Sequence, residues 1–233
     1  MTQESLHLIQ ESLDEAAGAP QASELIVAEA HHRIANNLAL IASLTRLQAR
    51  DLAAHDRAYS ANEVQTVLAE VGARIDTVGR LHTLLSDSAS GETLDLGGYL
   101  GEIAVSAIRS MGHATAPRFS AELRGGAFQR GQALQVGLIV GELVTNALKY
   151  AHPAGVAGEI RLVCRPSRNG MVVEVSDDGV GFPEGFDPER GGGLGLRIVR
   201  SLASRMNADL EFEDTGMGLT ARLEIPDDRS KQD

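Results

Sequence analysis

From Val64 to Leu85 apolar residues return every three or four positions, at Val64, Val67, Leu68, Val71, Ile75, Val78, Leu81 and Leu85. That spacing predicts an amphipathic helix from about Asn62 to Leu85. Ser60 with Glu63 three residues later forms a capping box in front of it. A longer helix is predicted upstream, roughly Ser23 to Asp51, and a short one at the N-terminus before Gly18 and Pro20 break it. Two long amphipathic helices joined by a loop make an antiparallel hairpin with little core of its own. Pairing two hairpins into a four-helix bundle supplies the core, so residues 23–87 predict a homodimer.

The segment SDSASGE, residues 86–92, is a linker by composition, and the period changes after it. Asp95 can cap a helix over LGGYLGEIAVSAIRS. A strand is predicted near Arg118 to Leu123, then a helix from about Gln132 to Tyr150. EIRLVCR and MVVEVSD alternate as strands, LGLRIVRSLASRM reads as a helix, and DLEFED and GLTARLEIP close the series as strands. Helices interspersed with mixed strands predict an α+β chain whose residues 88–227 form a two-layer α/β sandwich. Residues 1–22 read as an N-terminal extension and 228–233 as a disordered tail.

Composition narrows the chemistry. Apolar residues make up 43% of the 233, but aromatics only 3%, with no tryptophan, so the core is aliphatic. Lys plus Arg number 21 against 32 Asp plus Glu, a net charge of −11, which argues against a nucleic-acid partner. It leaves room for an anion held by a local nest of backbone N–H groups. The one cysteine, Cys164, lies in the apolar run IRLVC and reads as a buried thiol, with no disulfide or cysteine zinc site. No stretch approaches the roughly 18 apolar residues of a spanning helix, so the chain reads as cytoplasmic and free of the membrane.

Two adjacent histidines open the first long helix, in EAHHRIANNLALIASLTRLQAR. At a 3.6-residue period His31 shares an apolar stripe with Ile34, Leu38 and Ile41. His32 shares a small, polar one with Asn36, Ala39 and Ser43, and so faces water or a partner. An exposed neutral imidazole is a competent nucleophile toward a phosphoryl group. Arg33 adjoins it and could stabilise transferring phosphoryl charge. Glu29, three residues back, could receive the proton from the other ring nitrogen.

Three later segments suit a nucleotide. In GELVTNALKYAHP, Glu142, Asn146 and Lys149 share one helical face, while Leu143, Ala147 and Tyr150 fall on a neighbouring one. The carboxylate and the amide can hold a hydrated Mg²⁺, and Lys149 can meet a phosphate. In VVEVSDDGVGFP a strand ends at Asp177, whose carboxylate can accept the exocyclic amine of adenine. Gly179 and Gly181 then turn the chain away without a side chain over the base. In ERGGGLGLRIVR, the loop with Gly191, Gly192, Gly193, Leu194 and Gly195 opens a helix and can offer N–H groups to a triphosphate. It lacks the GxxxxGK[ST] of a Walker A loop, and it does not follow a first strand as a dinucleotide fingerprint does.

The order of these segments is the specific feature. The region resembles the ATP-binding domain shared by sensor histidine kinases, gyrase, Hsp90 and MutL: NALKYAHP is similar to the N box, DDGVGF to the G1 box and GGGLGLRIV to the G2 box. HHRIANNLALIASLTRLQ resembles the HisKA_2 class of dimerisation and phosphoacceptor helices. The resemblance spans about residues 25–226. It implies ATP and Mg²⁺ as cofactors and His32 as phosphoacceptor. It implies Asn146 as metal holder, with Glu142 orienting water or the metal shell, and Asp177 as reader of adenine. Gly179 and Gly181 would shape that pocket, and Gly193 and Gly195 would hold phosphates at the hinge of a short lid, Phe182 to Gly192. The related HWE class carries His before the N-box Glu; Gly141 here favours HisKA_2. Ala35 stands where the family's usual Lys follows the phosphoacceptor, and Asn207–Ala208 stands where relatives often read Gly-Gly.

The implied function is autophosphorylation of His32 and transfer to an aspartate on the receiver domain of a separate response regulator, with the signal supplied by a separate sensor protein or an input domain. A histidine phosphotransferase that keeps the fold without using ATP would show broken nucleotide boxes, whereas Asn146, Asp177 and the lid glycines are intact. A serine kinase of the anti-sigma type would need no phosphoacceptor hairpin. A non-enzymatic dimeric scaffold with inherited glycines is the remaining alternative.

Overall fold

The computed structural model describes residues 58–87, 93–110, 117–153 and 156–227, with isolated helical positions between Ala39 and Ala53. The short N-terminal helix, most of the first long helix with both histidines, most of the linker and the tail lie outside the described residues.

Helix α1, Ala61–Asp87, opens on the expected capping box. The Ser60 backbone N–H donates to Glu63 Oε2 at 2.9 Å, and the Glu63 N–H donates back to Ser60 Oγ at 3.3 Å. Its stripe is uneven: Leu68 is 65% exposed, whereas Val78 and Leu81 are 2% exposed. The latter pair belongs to the part of α1 that packs on α3. Strand β1, Thr93–Asp95, leads into α2, Leu96–Ser110, where Asp95 Oδ2 accepts the Gly98 N–H at 3.1 Å as the N-terminal cap. Strands β2, Arg118–Leu123, and β3, Ala127–Gln129, precede α3, Arg130–Asn146. After a π turn, Ala147–Ala151, come β4, Glu159–Pro166, and β5, Gly170–Asp177. Helix α4, Leu194–Arg205, and strands β6, Asp209–Asp214, and β7, Leu219–Pro226, complete the chain.

The main sheet runs β2-β4-β5-β7-β6, parallel between β2 and β4 and antiparallel elsewhere. Register explains why one face is dry at its centre, though Ala121 and Leu123 on the edge strand β2 remain exposed. Ala121, Leu162, Val175, Ala221 and Phe212 stand in one cross-strand row, and Leu123, Cys164, Val173, Leu223 and Leu210 in the next. Because side chains alternate along a strand, both rows point the same way, toward α2, α3 and α4. The opposite face carries Glu174 between Arg165, at 3.3 Å, and Arg222, at 2.7 Å. Val172 sits on that polar face yet is fully buried, consistent with long neighbouring side chains covering it. Cys164 is fully buried, and burial raises its thiol pKa to about 11, as an inert core thiol requires. Leu223 lies at the centre of the dry face at 1% exposure. Leu223→Ala is expected to lower stability by about 2–5 kcal/mol, read as a lower urea midpoint with an unchanged slope.

Two features depart from the expected elements. The three-residue pair β1–β3 forms a small antiparallel sheet of its own. The helix expected to run to Tyr150 starts two residues early and changes to a π turn after Asn146. Tyr150, expected beside Leu143 and Ala147, is therefore 65% exposed, and Ala151 is buried in its stead. The Asn207–Ala208 turn is accommodated by chemistry: Asn207 takes φ +51°, a left-handed conformation that asparagine tolerates, and Ala208 N–H closes the turn on Ala203 O at 2.9 Å.

Candidate active site

A cleft of about 640 Å³ opens among α3 with its π turn, the end of β5 and the start of α4. Glu142, Asn146, Lys149, Asp177, Gly181, Gly193, Leu194 and Gly195 all line it. Gly179 and Gly191, also expected at the site, are not among its lining residues. A side chain on Gly179 would come within 2.4 Å of the Ala151 backbone, against which the Val180 N–H donates to Ala151 O at 3.0 Å. The Gly191 N–H closes a turn on Asp187 O at 2.7 Å. Glu29, His32 and Arg33 lie outside the described residues.

At one end, Asp177 Oδ1 accepts the N–H groups of Gly179, at 3.0 Å, and Leu219, at 3.4 Å. These bonds fix the carboxylate at the end of β5. Burial raises its pKa above the ordinary carboxylate range, against the lowering effect of those two donors. Leu143, Ala147, Val175, Leu219 and Ala221 line the same cleft and give it apolar walls beside the Asp177 carboxylate. Next to it Asp178 accepts the Glu159 N–H at 2.7 Å and meets His152 Nε2 at 2.7 Å. Those bonds, the backbone one first, hold its pKa down. They tie the turn after β5 to the end of the π turn.

At the other end, Gly193 caps α4 without any side-chain hydrogen bond. The first N–H groups of α4 are thus left for an anion, favoured there by the helix dipole. Gly195 lies so close to α3 that a side chain would come within 2.7 Å of Glu142 Oε2 and 3.4 Å of Asn146 Oδ1. Alanine is the better helix former by about 1 kcal/mol. Gly195→Ala is therefore expected to keep its melting temperature while losing roughly tenfold in nucleotide affinity by calorimetric titration, because the new methyl pushes into the Glu142–Asn146 pair.

The Asn146 amide is half-buried in the cleft and makes no hydrogen bond among the described residues. An amide oxygen held there suits a hard divalent cation. No group of three or more His, Cys, Asp or Glu side chains that could hold a metal occurs among the described residues. A Mg²⁺ at Asn146 would therefore share its shell with phosphate oxygens and water, as this ion commonly does.

The sequence gives no role to the lining residues Phe186, Phe212 and Arg74, and names Phe182 only as one end of the lid. Phe182 stacks on Phe186 with ring centroids 4.7 Å apart and meets Phe212 edge-on at 5.7 Å, forming the wall under the segment 182–192. Asp214 clasps that wall, accepting the Phe182 N–H at 2.7 Å and the Gly216 N–H at 2.8 Å. Gly181, at φ +69°, must be glycine, since a side chain would overlap the Asp214 carboxylate. Arg200 holds the far end of the segment through Pro188 O and Gly191 O, the latter at 2.9 Å. From α1, Arg74 enters the cleft and grips Glu142 with both arms, Nε to Oε1 at 2.8 Å and Nη2 to Oε2 at 3.3 Å. Only the Gly-x-Gly spacing hinted at the turn, and nothing local pointed to Arg74.

Comparisons with known proteins agree with this geometry. A family model described as histidine kinase-, DNA gyrase B- and HSP90-like ATPase matches residues 131–229, and the HisKA_2 model, described as histidine kinase, matches residues 29–111. The chain belongs to the sensor histidine kinase family, HisKA_2 class, with the family's α+β catalytic fold. Blue-light-activated histidine kinase 2 of Erythrobacter litoralis is 30% identical over 225 residues, covering 94% of this chain and 62% of its own. Sensor histidine kinase PdtaS of Mycobacterium tuberculosis is 32% identical over 205 residues, covering 86% and 39%. The solved Erythrobacter litoralis EL346 blue-light activated histidine kinase superposes with TM-score 0.67 at 27% identity, over 82% of this chain and 58% of that one. The chain thus spans 39% to 62% of the length of these curated relatives. The ATPase model implies that this domain binds ATP. No described helix is long and apolar enough to cross a membrane.

Proposed function

We propose that the chain is an ATP-dependent protein histidine kinase of a two-component system, phosphorylating His32 and passing the phosphoryl group to an aspartate of a separate response regulator. One observation carries the reading: a single cleft joins a carboxylate beside apolar walls, Asp177, to an uncapped glycine-rich helix start beside Asn146. That end suits adenine, with Asp177 accepting its exocyclic amine. The α4 N-terminus and Lys149 suit the phosphates. Asn146, with Glu142, would hold Mg²⁺, which when bound neutralises phosphate charge.

The division of labour follows the sequence. Residues 23–87 form the dimerising hairpin and the docking surface for the receiver, residues 88–227 bind ATP, and 1–22 and 228–233 flank them. In the transfer, a neutral ring nitrogen of His32 attacks the γ-phosphorus in line. The bond to the β–γ bridging oxygen breaks and ADP leaves. The proton on the other ring nitrogen passes to Glu29, and Arg33 steadies the charge on the transferring group. Catalysis is then mostly positioning and charge neutralisation. The cytoplasm is the natural compartment for such chemistry, with the signal coming from a separate sensor protein or a further domain.

The test is incubation with γ-labelled ATP and Mg²⁺. Label that is acid-labile and alkali-stable supports the reading. No label, together with no measurable ATP binding, overturns it in favour of a phosphotransferase loaded by a phosphorylated receiver.

A further inference from the structure

We propose that His152 is a positioning residue for base recognition: it holds Asp178, and through Asp178 it fixes the turn that carries Asp177 at the adenine end of the cleft. The inference deepens the nucleotide reading and rests on it. It starts from a contact that the transfer chemistry does not use. His152 Nε2 donates to Asp178 Oδ1 at 2.7 Å, and the same oxygen accepts the Glu159 N–H at 2.7 Å. Charge fixes the direction of the first bond. The Asp178 pKa is held below the ordinary carboxylate range, so this side chain is ionised and only accepts, and the proton sits on Nε2.

Gly158 makes room for the pair. A side chain there would overlap His152 Nε2 and come within 2.6 Å of Asp178 Oδ1. One residue before His152, Ala151 O accepts the Val180 N–H at 3.0 Å. Adjacent residues at the end of the π turn thus hold the chain on both sides of Gly179. Asp177 Oδ1 in turn takes the N–H groups of Gly179 and Leu219. The turn 177–180 is therefore tied to the end of the π turn, to β4 through Glu159 and to β7 through Leu219. Neither His152 nor Asp178 is among the described residues that line the cleft, whereas Asp177 is. The pair reaches a ligand only through Asp177.

Charge gives the pair a second effect. Burial is the largest influence on Asp177 and raises its pKa, and its two backbone donors lower it. After these, His152 lowers it and the adjacent Asp178 raises it, so the histidine offsets the repulsion between neighbouring carboxylates. The other charged side chains on the elements packed there are Glu159, paired with Arg118 at 3.7 Å, Lys149 on the cleft wall and Asp214 on β6. Direction matters as much as charge. A carboxylate accepts from the 6-amine of adenine and repels the 6-oxo group of hypoxanthine, and it discriminates between them only while it is held in place.

The test is competitive displacement of a fluorescent ATP analogue from the whole chain by adenosine, inosine and inorganic tripolyphosphate. It is run on wild type, His152→Phe and His152→Gln, with melting temperatures taken alongside. Phenylalanine keeps a ring without a donor, and glutamine keeps an N–H donor without the ring. His152→Phe is expected to weaken adenosine roughly tenfold, to leave tripolyphosphate within about twofold and to shrink the preference for adenosine over inosine. His152→Gln is expected to recover most of that loss. With the His152 charge gone the Asp177 pKa rises further, so both variants should lose adenosine affinity at a higher pH than wild type on acidification. In wild type the His152 ring-nitrogen resonances, assigned by their loss in His152→Gln, should show a protonated Nε2 and shift with adenosine but not with tripolyphosphate. That measurement decides if His152→Phe does not fold. Unchanged adenosine affinity in His152→Phe, equal losses for adenosine and tripolyphosphate, glutamine no better than phenylalanine, or an unprotonated Nε2 would each overturn the proposal while the nucleotide reading stands. Wild type that binds neither ATP nor adenosine would overturn both.

Discussion

His32→Ala is expected to reduce labelling from γ-labelled ATP to background, a loss on the order of a thousandfold or more, while His31→Ala remains labelled. The asymmetry is what the family resemblance implies, and the helical period read from the sequence agrees with it. At a helical period His31 would share its stripe with Ile34, Leu38 and Ile41, which predicts a packing role for its ring. His32 shares Asn36, Ala39 and Ser43, small neighbours that let a second domain approach. A nucleophile cannot be replaced by positioning, so the His32 variant has no route to product however well it binds ATP. His31→Ala trades a packing contact for about 1 kcal/mol of stability and keeps the chemistry. Nucleotide displacement on both variants, run beside the labelling, should give wild-type ATP affinity. Label retained in His32→Ala and lost in His31→Ala would reverse the assignment.

Asp177→Asn is expected to weaken ATP, ADP and adenosine alike by roughly a hundredfold, about 2–3 kcal/mol. The substitution keeps the volume, so the argument is one of donors and acceptors. Asp177 Oδ1 takes two backbone N–H groups, from Gly179 and Leu219. Oδ2 makes no hydrogen bond among the described residues, and on the proposed reading it receives the adenine amine. An asparagine has one acceptor oxygen and one donor NH₂. Either the NH₂ faces the two backbone donors or it faces the adenine amine, and both arrangements set donor against donor. Burial raises the Asp177 pKa, so on acidification the carboxylate is neutralised at a higher pH than an exposed one. Affinity for adenosine should fall as pH drops through that raised value, and Asp177→Asn should lack this acidic limb. An unchanged adenosine affinity in Asp177→Asn would sink the adenine assignment.

Much of this architecture was legible in the residues because it is periodic. The alternation in EIRLVCR and MVVEVSD placed β4 and β5, and the three-and-four spacing before Leu85 placed α1. The Asp95 cap and the Ser60–Glu63 box could be read because their partners lie three residues away. What escaped was short or distant. Strands β1 and β3 have three residues each, too few to show a period. Phe182, Phe186 and Phe212 meet only because β6 closes against the turn after β5. Arg74 stands 68 residues from Glu142, and no local pattern announces an arginine that will cross from one helix to another. The π turn was invisible for a different reason: its first residues carry the same apolar spacing as the α-helix they continue.

That turn has a consequence of its own. A π turn is an α-helix with one extra residue taken up as a local bulge. It separates the segment into a stiff ruler, α3, which sets the spacing of Glu142 and Asn146, and an adjustable joint, Ala147–Ala151, which meets the turn after β5. On the proposed nucleotide reading, gaining or losing a single residue at the joint would slide the Asp177 end of the cleft while the Glu142–Asn146 spacing stays in register. The cleft can thus be retuned for a ligand of different length at one end alone, by a change no larger than a codon.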